Sequence, residues 1–317
     1  GDHRDLHRLI RRQRQMCIRD SYKIGEPLRC AEGWMFHKGM EPYGCISKTI
    51  QVAKLRRLDI NEMRIRDCID IPINGRIVII DRPKMERVMA KLAKKRGAKI
   101  HTGKRVKISE LANEYDLIID ASGYPSQWCR EFEEKPKKPA IALQARCKLE
   151  CDEMIIDISG GFDGYFYTFP KSDGYANVGV GFWKSRLSNL GYWLKKYVEF
   201  MGGEMLHKTA GLIGVGLNRP FIRQCDSTTV ALVGDAAGMV DPFLAEGMTK
   251  AVFGARILAE CIKRGDLAFY EKKYMESMRM HYLVSNLLYA SKVHLPHAIF
   301  FKIIKPIAPI LRDLILG

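Results

Sequence analysis

The sequence predicts a mixed α/β fold, and three changes of pattern along the chain indicate it. Residues 77–100 read as an apolar strand, a basic amphipathic helix and a second short apolar strand. Residues 140–182 consist of short alternating stretches separated by Gly and Asp turns, which is typical of an antiparallel sheet. From Thr228 the α/β pattern returns as an apolar strand and a long small-residue helix. Sequence from both ends is therefore expected to build one α/β unit, with a second sheet between them.

The elements in order predict a discontinuous domain organisation. The apolar run YDLIID at 115–120 leads into a small-residue turn, as buried parallel strands do. After Gly265 the chain is helical and apolar, and its prolines are expected to break it into short pieces. The predicted division is a non-native-looking leader at 1–21, an α/β domain at 22–50, 75–135 and 225–265, an antiparallel-sheet domain at 51–74 and 136–224, and a C-terminal helical segment at 266–317.

The composition is that of a globular protein. The 317 residues include 52 Lys+Arg and 36 Asp+Glu, a net charge of +16, and 47% are hydrophobic, which excludes a disordered chain and a small disulfide-stapled scaffold. The nine cysteines are scattered and form no C-x-x-C pair, which indicates a reducing compartment. No apolar run is long enough to span a bilayer, and no signal peptide is evident. We expect a cytoplasmic protein, soluble or peripheral on the inner face of the cell membrane.

The positive charge is concentrated in residues 82–107, where eleven Lys or Arg accompany a single acid, Glu86. Apolar residues recur there at helical spacing, which predicts an amphipathic helix with a basic outer face. This face is either simply solvated or faces an anionic lipid surface or an acidic partner such as an electron carrier. Nucleic acid is disfavoured, because the segment contains no Phe, Tyr or Trp that would stack on bases.

The strongest local motif lies in residues 230–260. An apolar strand ends at Gly234 and Asp235, and a second glycine-containing turn at 245–247 opens a helix whose first N–H groups are free. An acid at a strand end can bind a ribose or ribityl hydroxyl, and a helix N-terminus stabilises negative charge on a ring carbonyl or a phosphate. The motif alone is also compatible with a tight structural turn.

Separated stretches of the sequence, taken in order, resemble one family. They are IGEPLRCAEG (24–33), IDRPKMERVMAKLAKKRGAKI (80–100), DLIIDASGYPS (116–126) with GYFYTFPKSDGYANVGVGF (164–182), and VGDAAGMVDPFLAEGM (233–248). The chain resembles the FAD-dependent geranylgeranyl reductases, a branch of the flavoproteins built like para-hydroxybenzoate hydroxylase. The resemblance covers residues 22 to about 265. It implies that the α/β unit is a Rossmann-like FAD-binding domain and that the antiparallel sheet belongs to a substrate domain.

The resemblance also assigns roles by position. Asp235 is expected to hold the ribityl chain of FAD. The other expected cofactor contacts are Arg29, Cys30, Arg82, Gly234, Ala236, Gly238, Gly247 and Met248. The expected substrate contacts are Tyr165, Tyr167, Phe169, Pro170 and Lys171, which match the family signature Y-x-W-x-F-P-K except that Tyr167 stands where tryptophan is usual.

One feature of the family is missing from the sequence. Such proteins begin with a strand, a G-x-G-x-x-G turn and a helix that holds the FAD pyrophosphate, but no G-x-G-x-x-G occurs here. The likeness begins at about Lys23, and the leader with its six arginines stands where that unit is expected. We therefore expect the leader to pack against nothing, the central strand of the FAD-binding sheet to be missing, and FAD binding to be weakened.

The implied reaction is the saturation of isolated double bonds in geranylgeranyl chains of archaeal-type glycerophospholipids. An isolated alkene is not polarised, so hydride from reduced FAD reaches it only if a proton arrives at the other carbon at nearly the same time. Cys30 is the candidate catalytic proton donor, and a water-mediated donor is the competing hypothesis. The electron donor is NAD(P)H or reduced ferredoxin. The histidines of the C-terminal helices are not spaced as a metal site, so no metal is expected.

Two other functions fit parts of the sequence. The first is a monooxygenase, an aromatic hydroxylase or an epoxidase, on the same fold. The second is an FAD-less basic protein that binds acidic surfaces, which the missing glycine-rich unit and the net charge favour. Residues 293–316, where apolar blocks alternate with Lys302, Lys305 and Arg312, are expected either to cover the substrate tunnel or to enter a membrane interface.

Overall fold

The computed structural model of the chain describes residues 15–18, 24, 33–38, 40–135, 139–160, 162–184 and 189–316. These residues form thirteen strands and seven α-helices. The strands are β1 Gln15–Ile18, β2 Trp34–Phe36, β3 Ile46–Asp59, β4 Arg64–Ile80, β5 Lys99–Thr102, β6 Leu117–Asp120, β7 Ala140–Lys148, β8 Met154–Ser159, β9 Asp163–Pro170, β10 Tyr175–Lys184, β11 Glu204–Ile213, β12 Ile222–Cys225 and β13 Thr228–Leu232. The helices are α1 Arg82–Lys95, α2 Ile108–Leu111, α3 Gln127–Glu131, α4 Leu190–Phe200, α5 Met248–Arg264, α6 Phe269–His294 and α7 His297–Leu316.

The largest element is an eight-stranded sheet with the order β11-β7-β10-β9-β8-β3-β4-β2. Its neighbouring strands run antiparallel except for the parallel pair β3–β8. The antiparallel sheet predicted at 140–182 is confirmed as β7 to β10. The sheet also includes the long β3–β4 hairpin, so the predicted domain boundaries at 50/51 and 74/75 fall inside β3 and β4.

Two smaller sheets carry the parallel pairings. In the first, with the order β12-β13-β6, the strands β13 and β6 run parallel and end together at the register pair Leu232 and Asp120. Ile119 of β6 is 47% exposed, so this strand is not buried on both faces as its sequence predicted. In the second, β1 pairs in parallel with β5. The prediction that the leader packs against nothing is therefore wrong for residues 15–18, because their backbone groups pair with β5.

The strand, helix and strand predicted at 77–100 are confirmed. The last four residues of β4 are buried isoleucines and a valine, and Asp81 then caps α1 by accepting a hydrogen bond from Lys84 N at 2.9 Å. Pro83 stands in the first turn, where the missing N–H has no intrahelical partner to lose. The helix ends before Gly97, whose φ of +87° suits glycine.

The C-terminal prolines do not break the chain into short pieces, contrary to the sequence prediction. Pro296 separates α6 from α7, but Pro306 and Pro309 lie inside the 20-residue α7. Both are exposed, so the carbonyls that lose their helical donors, at 302 and 305, can bond to water instead. The opposite face of α7 packs on β3 and β4, and this packing stabilises the helix despite its prolines.

The largest apolar core lies between the large sheet and the two C-terminal helices. Buried side chains from β3, β4, β8 and β9 meet Leu288 of α6 and Phe300, Phe301 and Ile304 of α7 there. A second core lies between the other end of the sheet and α4, and a third around β13, α5 and α6. Across the described ranges, no helix is long and apolar enough to cross a membrane.

Candidate functional site

A tight turn after β13 presents Asp235 at the end of a buried strand. Gly234 and Gly238 have φ angles of +64° and +65°, and residues 234–237 form one 3-10 turn between them. A Cβ atom on Gly238 would overlap the carbonyl oxygen of Gly216, so this position requires glycine for close backbone approach as well as for its conformation. The turn thus holds the Asp235 side chain at the carboxyl edge of the small sheet.

Two other predicted cofactor contacts, Gly247 and Arg82, lie near Asp235. The N-terminus of α5 is so close that a Cβ atom on Gly247 would lie 2.9 Å from Asp235 Oδ1. Burial raises the pKa of Asp235 above its usual value, the positive charge of Arg82 opposes that rise, and the nearby Glu246 carboxylate adds to it. Arg82, from the first turn of α1, is therefore close enough to interact electrostatically with the carboxylate.

The N-terminus of α5 contains polar groups that fit a polar ligand. Glu246 accepts hydrogen bonds from Thr249 N and Lys250 Nζ, both at 2.6 Å, and the charged pair is almost fully buried. Thr249 Oγ1 is buried and has no hydrogen-bond partner among the described residues. Met248 packs on the apolar cluster below α1. A buried hydroxyl without a partner and the positive end of a helix fit the polar edge of a flavin.

Asp241 holds the loop that joins the turn after β13 to α5. Its carboxylate accepts hydrogen bonds from Phe243 N at 2.9 Å and Leu244 N at 2.6 Å, and from His281 Nε2 at 2.8 Å and Ser285 Oγ at 2.7 Å on α6. Burial alone would raise the pKa of Asp241, but the hydrogen bond from His281, with further support from its other partners, lowers it below its usual value. The loop at 241–247 is therefore fixed in one conformation by a buried anion.

An apolar cavity of about 110 Å³ lies between the large sheet, this loop and the C-terminal helices. Lys54 and Arg312 are the charged residues of its lining, and the rest is apolar. The lining residues are Trp34, Ala53, Lys54, Leu55, Ile71, Ile73, Ile77, Met154, Ile156, Phe243, Leu244, Leu288, Phe300, Ile304, Ala308 and Arg312. Such a wall suits a hydrocarbon chain, because it offers dispersion contacts and excludes water.

Three aromatic residues predicted to contact substrate share one face of β9 and pack in the same core as the cavity wall. Tyr165, Tyr167 and Phe169 are all buried, and the rings of Tyr167 and Phe169 are stacked with centroids 4.6 Å apart. The Tyr165 hydroxyl donates a hydrogen bond to the carbonyl oxygen of Leu244. Burial raises the pKa of Tyr165 far above its usual value, so this hydroxyl is a donor and not a phenolate.

The end of β9 places the last two predicted substrate residues. Pro170 closes the strand opposite Ala176 of β10. Lys171, which follows it, is only 6% exposed, and its Nζ donates a hydrogen bond to Ile80 O at 3.2 Å. The lysine is therefore buried and joins the end of β9 to the end of β4, next to the start of α1.

Ala236, another predicted cofactor contact, lines a second, small cleft that Asp235 also borders. Residues of the turn, including Ala236 and Gly238, line it together with Tyr124, Gly214 and Gly216. Asn218 Nδ2 donates a hydrogen bond to Ala236 O at 3.4 Å. The candidate site thus combines a polar part at Asp235 and the α5 N-terminus with an apolar cavity beyond the loop.

Comparison with known proteins shows which proteins the chain is similar to. No protein-family profile matches the chain. The digeranylgeranylglycerophospholipid reductase of Methanosphaerula palustris is 27% identical over 302 residues, covering 80% of this chain and 73% of the relative. The enzyme of the same name from Methanosarcina acetivorans is 26% identical over 307 residues, covering 83% and 74%. The chain is similar in sequence to digeranylgeranylglycerophospholipid reductases over 80% or more of its length.

Solved structures agree with this fold. A geranylgeranyl bacteriochlorophyll reductase-like protein from Thermoplasma acidophilum superposes with a TM-score of 0.73 at 21% identity, covering 90% of this chain and 83% of that one. HpxO of Klebsiella pneumoniae, solved with FAD and uric acid, superposes with a TM-score of 0.60 at 17% identity, covering 88% and 84%. The fold is therefore the one these flavoproteins share, as the sequence predicted.

Some of the predicted site residues lie outside the described residues, and the structure adds others that were not predicted. Arg29 and Cys30, the predicted cofactor contacts at the start of the chain and the predicted catalytic residue, lie outside the described residues. Phe300, Ile304 and Ala308 of α7 line the cavity but were not predicted individually, although residues 293–316 were expected either to cover the substrate tunnel or to enter a membrane interface. Their spacing of four residues was a usable signal, because it marks one face of a helix, but the expectation of broken pieces hid it.

Proposed function

We propose that this chain is an FAD-dependent reductase that saturates isolated double bonds in the isoprenoid chains of archaeal-type glycerophospholipids. The observation that carries the proposal is that one loop borders both parts of the site. Phe243 and Leu244 line the apolar cavity, while Glu246 and Gly247 of the same loop border Asp235. A ligand held at Asp235 is thereby adjacent to a hydrocarbon chain in the cavity. The names of the homologues support the same substrate class.

The residues of the polar part are proposed to bind FAD. Reduced FAD, when bound, supplies the hydride for alkene reduction. We propose that the Asp235 carboxylate accepts hydrogen bonds from hydroxyls of the ribityl chain, and that the charge of Arg82 favours its ionised form. The N-terminus of α5, from Gly247 to Thr249, provides donors to the polar edge of the ring system. Gly234, Ala236 and Gly238 allow the backbone to approach the cofactor.

The residues of the apolar part are proposed to hold the lipid chain. Tyr165, Tyr167 and Phe169 support the cavity wall, and the Tyr165 hydroxyl fixes the Leu244 carbonyl in that wall. The cavity wall is apolar apart from Lys54 and Arg312, so a proton donor has to be positioned beside the double bond. We propose Cys30 as that group, and replacement by alanine is expected to slow alkene reduction while FAD stays bound.

The test separates the cofactor, the reaction and the electron donor. The purified chain is titrated with FAD, reduced with dithionite without oxygen, and mixed with digeranylgeranylglycerophospholipid. Oxidation of the flavin together with a lipid mass gain of two hydrogen atoms per saturated bond is expected. NAD(P)H and reduced ferredoxin are then compared as natural donors.

Two results would reject the proposal. If the lipid changes only when oxygen is admitted, and the lipid product gains oxygen, the chain is a monooxygenase. If the chain binds no FAD at all, it is not a flavoenzyme, and the hypothesis of a basic protein for acidic surfaces takes its place.

A further inference from the structure

Helix α7 has one buried apolar face and one exposed apolar face. The buried face contains Phe300, Ile304 and Ala308, which line the cavity. The other face leaves Ile299, Ile303 and Ile310 exposed by 47%, 49% and 60%. A helix that only covers a core is polar on its outer side, so the exposed isoleucines need a separate explanation.

Helix α6, which packs against α7, carries a similar exposed stripe in its second half. Met280, Leu283 and Leu287 are exposed by 56%, 51% and 59% and recur at helical spacing, and Val293 near the end of the helix is 42% exposed. Single exposed apolar residues are normal on protein surfaces. Seven large ones on two adjoining helices indicate an interaction surface, which we call the α6–α7 surface.

The charge of this surface identifies its partner. Residues 277–312 contain no Asp or Glu, and Lys302 and Lys305 of α7 are exposed. Exposed apolar residues and lysines in a stretch of sequence without acids are characteristic of helices that lie in the interface of an anionic bilayer. The net charge of +16 favours approach to the same kind of surface.

We propose that the α6–α7 surface binds the surface of a bilayer that contains anionic phospholipids, with the isoleucines of α7 inserted among the acyl chains and Lys302 and Lys305 at the headgroups. Because the other face of α7 lines the cavity, the bound protein holds that cavity roughly one helix diameter, about 10 Å, from the hydrocarbon. The membrane contact stands on the surface itself, and only its use in delivering lipid chains rests on the proposed function.

The first experiment is co-sedimentation of the purified chain with vesicles. Vesicles of phosphatidylglycerol and phosphatidylcholine are expected to bind the chain at low salt, and vesicles of phosphatidylcholine alone to bind it far less. High salt is expected to weaken binding, because it screens the lysines. Neither flavin nor isoprenoid is present, so a failure here is distinct from a failure of the reductase proposal. Absence of binding to the anionic vesicles at low salt would overturn the membrane proposal.

Two pairs of variants locate the surface. The double variant Ile303→Asn, Ile310→Asn is expected to bind vesicles more weakly, by roughly tenfold or more for each isoleucine that no longer inserts into the bilayer. The matched control is Leu206→Asn with Leu212→Asn on β11, where each leucine is 52% exposed, and it should bind as the parent does. All four side chains are exposed, so thermal unfolding should change little. Equal loss in both pairs would contradict the proposal.

A second comparison tests whether the lysines of α7, and not those of the basic helix α1, contact the vesicles. Lys302→Gln with Lys305→Gln is expected to weaken binding roughly fivefold per lysine, the contribution of a cation near an anionic surface. Lys94→Gln with Lys95→Gln on α1 should have little effect. A larger loss from the α1 pair would move the contact to that helix and reject the α6–α7 surface.

A second copy of the chain is the alternative occupant of the apolar stripes. Sedimentation velocity without lipid decides it. A monomer is expected for the parent and for the Ile303→Asn, Ile310→Asn variant. A dimer that the two substitutions convert to a monomer would identify the surface as a self-association interface and overturn the membrane proposal.

Discussion

The ring of Tyr167 lies against the backbone of Gly179 on the neighbouring strand. The two residues are register partners in the β9–β10 pair, and a Cβ atom on Gly179 would overlap Cζ and the hydroxyl of the tyrosine. Gly181, the partner of Tyr165, differs, because a Cβ atom there would meet nothing within 4 Å. Position 179 therefore requires glycine, because any larger residue would collide with the Tyr167 ring. Position 181 has room for a side chain.

Replacement of Gly179 by alanine is expected to displace the Tyr167 ring and to lower the free energy of unfolding by about 1–3 kcal/mol, the usual cost of overpacking a core. Urea denaturation measures the change, and Gly181→Ala is the matched control with little expected effect. Adding Tyr167→Leu to Gly179→Ala should restore part of the loss, because the clash is removed. Equal costs for the two glycine variants would show that the ring does not set the requirement.

Replacement of Asp235 by alanine is expected to weaken FAD binding roughly 10- to 100-fold, since a charge-assisted hydrogen bond is worth about 1.5–3 kcal/mol. Fluorescence titration with FAD measures it. Asp266→Ala, at an exposed acid just after α5, is the control and should bind FAD as the parent does. Retention of full affinity in the Asp235 variant would remove this residue from the cofactor site.

Replacement of Ala308 by leucine is expected to fill part of the cavity and to slow lipid reduction roughly tenfold or more, the scale on which pockets discriminate small changes of shape. FAD binding should be unchanged, because Asp235 lies on the other side of the loop. Ala298→Leu, on the exposed face of the same helix, is the matched control. A normal rate for Ala308→Leu would show that the lipid chain does not occupy this cavity.

Lys292 is expected to make stability depend on pH. Burial lowers its pKa from 10.5 to about 8, and the charge of Asp163 opposes the change. Between these two values the unfolded chain binds more protons than the folded one, so stability rises with pH. From pH 7 to 9.5 the parent should gain about 2 kcal/mol relative to Lys292→Met.

Urea denaturation at the two pH values measures this difference. Lys195→Met, at a lysine whose side chain is 73% exposed, is the control and should keep the pH dependence of the parent. An identical pH dependence in the Lys292 variant would contradict the lowered pKa.

Local pattern was sufficient for the elements that local forces stabilise. The cap at Asp81, the proline at position 83 and the apolar spacing of α1 are all within one segment, and the structure has the helix there. The apolar strand at 228–232, its glycine turn and α5 were equally readable. The order of the motifs also led to the family that the homologues confirm.

Other features depended on partners distant in the chain. Pro306 and Pro309 predicted breaks, but packing of the buried face of α7 on β3 and β4 keeps the helix continuous. Residues 15–18 are too short a run to predict a strand by themselves, and the structure pairs them with β5. The domain division and the roles of the site residues stay predictions.

The sequence by itself determined which residues have the chemistry: the acid after a buried strand, the glycine turns, the aromatic strand and the basic surfaces. Their type and spacing follow from local conformation, and one sequence contains that information. Only the tertiary structure decided that Arg82, Asp235 and Gly247 meet, that Lys171 is buried, and that one loop borders both the acid and the cavity. Those relationships depend on packing between different segments of the chain, where burial and close contact select one arrangement among many that the local patterns allow.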